Sequence, residues 1–153
     1  MKLKPETLIT SFVILVMIVA GYYISKERSS SRDQAIPHYT IDQVITQLIQ
    51  IESGGDYLAI GDGGKAVGIL QIHPIMVKEV NRILGKEVYE LSDRVHPVKS
   101  IRMCRVFLSR QIRNYRSIYG EYPDERTLAG SWNTGSIFKR KPMKYLLKYR
   151  EMI

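Results

Sequence analysis

Apolar residues between positions 41 and 52 recur with the spacing of one face of an α-helix. They follow the i, i+3, i+4, i+7, i+8 pattern of a face packed on a core, and are Ile41, Val44, Ile45, Leu48 and Ile49. Thr40 and Gln43 have the form of a capping box, and Gly54 can end the helix in a left-handed conformation. The next position on the apolar face is Glu52. We therefore predict a helix whose last turn directs a carboxyl group inward.

Similar patterns predict four more helices along the chain. They cover about residues 75–84, 97–119, a segment capped by Asp124 that runs to about position 132, and a last segment opening at Pro142. Residues 56–74 contain too much glycine for a helix and predict a loop or hairpin. Because no alternation of strands and helices indicates a parallel sheet, the predicted fold class is mostly α, a compact helical domain with a short Gly-rich hairpin region.

The helix predicted over residues 97–119 has an apolar and a basic side. The apolar side carries Ile101, Cys104, Leu108, Ile112, Tyr115 and Tyr119, and the basic side carries Arg102, Arg105, Arg113 and Arg116. Clustered arginines can follow a phosphate backbone, but no recognition-helix, RNP or zinc-finger pattern accompanies them. We interpret the basic side as a solvated face and expect no specific nucleic acid partner.

The single cysteine, Cys104, cannot form an internal disulfide and is predicted to be a buried small hydrophobe. The chain has three histidines. None of them has a metal-ligand spacing, so no structural zinc site is predicted.

A separate apolar segment precedes the folded part. Residues 8–24 carry no charge, follow a basic start, and approach the length needed to span a bilayer. We predict a signal anchor with one transmembrane helix over residues 1–24, and a cleaved secretory signal is the alternative. The Ser-rich residues 25–37 predict a flexible linker, which leaves residues 38–153 for the folded domain. In either case that domain is exported or displayed on a membrane.

Three short blocks carry the candidate chemistry. The first is IESGG at residues 51–55, the second is GILQI at 68–72, and the third is WNTG at 132–135. Together and in this order they resemble the lytic transglycosylase (SLT-type) domain of the goose-type lysozyme-like superfamily, in its short single-domain bacterial and phage form. The resemblance covers about residues 41–149 and implies an α+β lysozyme-like fold.

The resemblance also implies an activity and a set of site residues. Glu52 would be the catalytic acid and then base of a lytic transglycosylase, which cuts the β-1,4 bond between N-acetylmuramic acid and N-acetylglucosamine and leaves a 1,6-anhydro product. Burial disfavours an ionised carboxyl group, which suits a general acid. The implied substrate-binding residues are Ser53, Gly68, Gln71, Trp132, Asn133 and Tyr145.

Some of these residues have alternative interpretations. For Gly68 we expect a close approach of the backbone to the sugar or to the catalytic helix. Gln71 can instead make a structural hydrogen bond, and burial habits alone favour a core position for Trp132.

A hydrolytic glycosidase normally uses two carboxylates, and Asp56 and Asp62 are the candidates for a second one. Asp62 lies in a Gly-flanked turn, where Asp commonly bonds its own backbone, so we favour a turn role for it. A hydrolytic muramidase remains the alternative, as does a non-catalytic membrane-anchored module that binds wall or nucleic acid.

The resemblance implies no cofactor. The formal net charge of +8 attracts anionic partners. We expect peptidoglycan glycan strands as the partner, together with the lipid membrane and other proteins of a virion or an envelope complex. The expected role is local opening of the cell wall, for a phage or for a secretion machine.

Overall fold

The computed structural model describes residues 16–21, 37–139 and 147. The chain divides into two compact units, Met1–Ala35 and Ile36–Ile153. In the first unit, residues 16–21 are helical. No helix of the described residues is both long and apolar enough to cross a bilayer. The rest of the predicted anchor and nearly all of the predicted linker lie outside the described part.

The second unit is mostly helical and carries one small sheet. Its α-helices are α1 (Ile41–Ser53), α2 (Pro74–Leu84), α3 (Pro97–Tyr119) and α4 (Glu125–Thr134). Its strands are β1 (Ile60–Gly61) and β2 (Ala66–Val67), which are antiparallel and pair Ile60 with Val67. Short 3₁₀ helices cover Asp62–Gly64, between the strands, and Leu91–Val95, before α3.

The predicted mostly α fold with a Gly-rich hairpin is confirmed for the described residues. The 3₁₀ segment Leu91–Val95 was not predicted, because five residues are too few to show an apolar period. The last predicted helix, which would open at Pro142, lies outside the described part.

Helix α1 begins and ends where its sequence predicts. The backbone amide of Gln43 donates to Thr40 Oγ1 at 3.2 Å, the amide of Thr40 donates to Gln43 Oε1 at 2.6 Å, and Gly54 adopts φ +65°. The buried face consists of Val44, Ile45, Leu48 and Ile51. Ile51 therefore takes the buried position in the last turn, and Glu52 is half-buried beside it instead of continuing the apolar face.

Helix α3 is the centre of the unit, since it contacts α1, α2 and α4. Its fully buried residues include Met103, Cys104, Phe107 and Leu108. The predicted apolar side omitted Met103 and Phe107, which are buried. It included Tyr119, which is 57% exposed. A helix packed on several sides is buried over a wider arc than the single stripe of a surface helix, which explains the difference.

The basic side of α3 is exposed, as predicted. Arg105 forms an ion pair with Asp42 of α1 at 2.6 Å, and the guanidinium of Arg116 lies 4.3 Å from the ring centroid of Tyr122. Arg105 and Arg116 thus have partners within the chain.

Candidate active site

Glu52 lies in the last turn of α1, half-buried, next to the α3 side of the core. Cys104 of α3 is fully buried and free, as predicted. Burial, together with the negative charge of Glu52, holds the pKa of the Cys104 thiol well above its usual value. The carboxyl group of Glu52 is therefore close enough to α3 for its charge to raise the pKa of a buried thiol.

Ser53 links α1 to the second sequence block. Its hydroxyl donates to the carbonyl oxygen of Ile69 at 2.8 Å and accepts from the backbone amide of Gly55 at 3.2 Å. A hydroxyl group has one proton to donate, and Ser53 uses it inside the chain. Ser53, which the resemblance implied as a substrate-binding residue, thus holds the loop next to Glu52.

Trp132 links the third block to the same loop. Its indole Nε1 donates to the carbonyl oxygen of Leu70 at 3.2 Å, and its ring packs edge-on against Phe107 with centroids 5.7 Å apart. The side chain is 7% exposed, as burial habits suggested. Because Ser53 and Trp132 bind the carbonyls of consecutive residues, Ile69 and Leu70, the three blocks are joined at one place.

Gly68 is buried with φ +79°, and a Cβ added there would overlap the carbonyl oxygen of Arg94. The expected close approach at Gly68 is present, but it is to the backbone of Arg94 and not to the catalytic helix, while an approach to the sugar stays a prediction. The neighbour is the backbone of the Leu91–Val95 segment, so Gly68 has a structural role.

Arg94 holds the hairpin from that segment. Its Nη1 donates to the carbonyl oxygens of Lys65 at 2.9 Å and Ile72 at 3.1 Å, and its Nε donates to the carbonyl of Leu91 at 2.9 Å. A guanidinium with several fixed donors suits this bridging task. Sequence reasoning missed Arg94 because no motif surrounds it.

Gln71 makes the structural hydrogen bonds of its alternative interpretation, and it also lines the cavity described below. It adopts φ +46°, unusual for a residue other than glycine, and its Nε2 donates to the carbonyl oxygens of Ala59 at 3.2 Å and Gly68 at 3.0 Å. The amide nitrogen of Gln71 is therefore committed to the loop instead of being available to a substrate.

A cavity of about 280 Å³ lies between the second and third blocks. It is lined by Gln71, Ile72, His73, Ile75, Met76, Trp132, Asn133, Thr134 and Gly135. Asn133 is exposed, and within the described part of the chain its side-chain amide makes no hydrogen bond. It is thus the predicted residue best placed to bind a ligand in the cavity. Tyr145 lies outside the described residues.

The two candidate second carboxylates have different surroundings. Asp56 Oδ1 accepts from the backbone amide of Leu58 at 2.8 Å, so it stabilises the turn after α1. Asp62 lies in its turn with φ +47°, and its carboxylate is 3.7 Å from Nε2 of His73. Sequence reasoning missed His73, although its place between Ile72 and Pro74, just after the second block, was a signal.

A family model described as the Transglycosylase SLT domain matches residues 33–150. The matched range contains all three blocks and the whole cavity, and it confirms the resemblance drawn from those blocks. The comparisons with curated proteins and with solved structures gave no match.

Proposed function

Since the chain belongs to the transglycosylase SLT family, we propose that it is a peptidoglycan lytic transglycosylase. Family membership supports, in general, a transglycosylase or lysozyme-like action on peptidoglycan. The finer proposal is cleavage of the β-1,4 bond between N-acetylmuramic acid and N-acetylglucosamine, with Glu52 as the acid and base.

One observation carries this proposal. Ser53 binds the carbonyl of Ile69 while Trp132 binds the carbonyl of Leu70. These bonds fix the end of α1, which bears Glu52, against the loop that lines the cavity. Glu52 itself is not among the residues that line the cavity, so the proposal requires the glycan to extend from the cavity to the end of α1.

Glu52 can perform both halves of the reaction. As an acid it gives its proton to the oxygen that links the two sugars, and the bond between that oxygen and C1 of N-acetylmuramic acid breaks. The resulting carboxylate then takes the proton of the C6 hydroxyl of the same sugar, whose oxygen bonds to C1. The proton returns to Glu52, the anhydro ring closes, and no water is consumed.

The surroundings of the other candidate carboxylates favour this lyase over a hydrolase. A hydrolase that inverts needs a second carboxylate to hold a water. Asp56 is bound to the backbone of its own turn, and Asp62 faces His73. Each of these contacts accounts for its carboxylate without a role in holding water, which supports the assignment of both steps to Glu52.

The test is the substitution Glu52→Gln in the full chain. We expect lysis of isolated cell walls to fall about a hundredfold or more, because removal of an acid and base removes its rate contribution. Glu79→Gln is the matched control, since Glu79 pairs with Arg82 on α2 at 2.7 Å and should leave lysis unchanged. Mass spectrometry of the products should find 1,6-anhydro ends, whereas reducing ends would identify a hydrolytic muramidase. Undiminished lysis by Glu52→Gln would refute the assignment.

The setting is also part of the proposal. The uncharged residues 8–24 support a membrane anchor, which would keep the domain at the membrane and facing the wall, for local opening by a phage or a secretion machine. We expect the full chain in the membrane fraction of cells and a chain lacking residues 2–36 in the soluble fraction. Equal partitioning of both chains would contradict the anchor.

A further inference from the structure

Asp62 and His73 meet at the edge of the cavity. His73 lines the cavity, and its Nε2 is 3.7 Å from Asp62 Oδ2. The side chains of both residues are accessible, at 41% exposed for His73 and 62% for Asp62. An exposed pair of this kind adds little to stability, so the fold alone does not explain it.

The backbone conformation of Asp62 also indicates that its side chain has a function. It adopts φ +47°, in the left-handed region that disfavours side chains other than those of Gly, Asn and Asp. Asp is common in such turns because its carboxylate bonds the nearby backbone, as that of Asp56 does. Among the described residues, however, the carboxylate of Asp62 accepts no backbone hydrogen bond. Its contact is the imidazole of His73, and strained backbone of this kind is found where a side chain has a function.

His73 is held on a rigid support. The next-door residue Ile72 pairs with Val67 through two backbone hydrogen bonds and gives its carbonyl oxygen to Arg94. Pro74 follows directly and opens α2. The side chain of His73 makes no cap hydrogen bond to that helix, so its imidazole is available at the cavity.

From these observations we propose that His73 is a glycan-binding residue of the cavity and that Asp62 is the residue that positions its imidazole. This inference rests on the proposed function, since it takes the ligand of the cavity to be a peptidoglycan glycan. The carboxylate of Asp62 lies on the Nε2 side of the ring, so Nδ1 is the ring nitrogen left for a ligand. Sugar hydroxyl groups and acetamido N–H groups are the donors that Nδ1 would bind.

The same cavity offers complementary groups for such a ligand. Asn133 presents an amide that can donate and accept, and Ile75 and Met76 provide an apolar wall. A few polar groups on a mostly apolar surface are typical of sites that orient a small ligand. His73 would add an acceptor to the same cavity, from the segment that follows the second block, whereas Asn133 belongs to the third block.

The experiment uses the full chain with Glu52→Gln, so that binding is measured without cleavage. The chain contains one tryptophan, Trp132, which lines the cavity, and its fluorescence reports occupancy. We would titrate this parent with a soluble N-acetylglucosamine–N-acetylmuramic acid oligosaccharide. Adding His73→Gln or Asp62→Asn should weaken binding about threefold to tenfold, the effect of losing one hydrogen bond.

Asp62→Gly separates a structural from a functional role. Glycine fits φ +47° better than aspartate, so this variant should unfold at an equal or higher denaturant concentration while it binds the oligosaccharide more weakly. Combining Asp62→Asn with His73→Gln should weaken binding no further than His73→Gln alone, because Asp62 acts through His73. Asp42→Asn is the charge-matched control, about 15 Å along α1 from position 52, and should bind like the parent.

Several results would overturn the inference. These are unchanged binding by the Asp62 variants, an equal loss with Asp42→Asn, or no response of Trp132 to the oligosaccharide in the parent. The proposed function is judged separately, by wall lysis with the unsubstituted chain and its loss with Glu52→Gln. Lysis can therefore succeed while the role of His73 fails.

Discussion

The indole nitrogen of Trp132 donates a hydrogen bond across the core to the carbonyl oxygen of Leu70 at 3.2 Å, and Leu70 is fully buried. Trp132→Phe keeps an aromatic ring against Phe107 but leaves that carbonyl without its donor. We expect a loss of about 1 to 3 kcal/mol in the free energy of unfolding, the cost of an unpaired buried polar group. Urea unfolding followed by circular dichroism measures it.

Tyr119→Phe is the control for this substitution, since it also removes a polar atom from an aromatic side chain, at an exposed position. It should change the free energy of unfolding by less than about 0.5 kcal/mol. Equal stability of the Trp132 variant and the parent would show that the bond to Leu70 contributes nothing.

Gly68→Ala should be among the most destabilising single changes in the hairpin. The alanine would adopt φ +79° and its Cβ would overlap the carbonyl of Arg94, so strain and a steric clash add. Gly63→Ala is the matched control, because Gly63 also has positive φ, +62°, but a Cβ there meets open space.

We expect Gly63→Ala to cost about 1 kcal/mol, as for an ordinary left-handed glycine, and Gly68→Ala to cost clearly more. Thermal unfolding of both variants compares them directly. A similar loss in the two would mean that the Leu91–Val95 segment can move away from Gly68.

Alanine substitution of Asn133 should affect ligand binding, whereas that of Gln71 should affect stability. Asn133→Ala removes an exposed amide that lines the cavity, so we expect weaker oligosaccharide binding with an unchanged unfolding midpoint. Gln71→Ala removes donors to two loop carbonyls and should lower stability by about 1 kcal/mol or more. If Asn133→Ala destabilised the chain while Gln71→Ala did not, the division of roles proposed here would be reversed.

Tyr39 gives a prediction for alkaline pH. Its hydroxyl donates to the carbonyl oxygen of Pro123 at 2.7 Å, and burial, with the nearby charges of Asp124 and Glu125, raises the pKa of Tyr39 to about 12. Because the unfolded value is about 10, the folded state holds this proton more tightly. The resulting stability is fully present below pH 10 and is lost as the pH rises from about 10 to 12.

Tyr39→Phe removes this contribution. We therefore expect the stability difference between the parent and Tyr39→Phe to shrink over that pH range, as measured by urea unfolding at several pH values. A difference that stayed constant would argue against a proton held by the fold.

Much of the fold was predictable because the helices carry their own signals. The capping box of α1, the prolines that open α2 and α3, and Asp124 before α4 each fixed a helix start within one or two residues. The Leu91–Val95 segment carried no such signal. The width of the buried face of α3 also depends on how many helices pack against it, and the apolar period of one helix does not show that number.

The sequence predicted which segments lie together better than what each residue does there. The three blocks meet in space, and Gln71, Trp132 and Asn133 line the cavity, whereas Glu52, Ser53 and Gly68 do not. The hydrogen bonds of Ser53 and Gln71, however, depend on a loop geometry that spans 12 to 16 residues of sequence. The contributions of Arg94 and His73 arise from contacts in space, so a motif of adjacent residues does not reveal them.

The bridge made by Arg94 has a consequence for how the cavity wall can open. One guanidinium binds the chain at both ends of residues 65–72, at Lys65 and at Ile72. Neither end can separate without loss of a bond to the Leu91–Val95 segment. The hairpin and that segment should therefore exchange their amide hydrogens as a single cooperative unit. The side chain of Arg94 thus determines how often the cavity wall next to His73 opens.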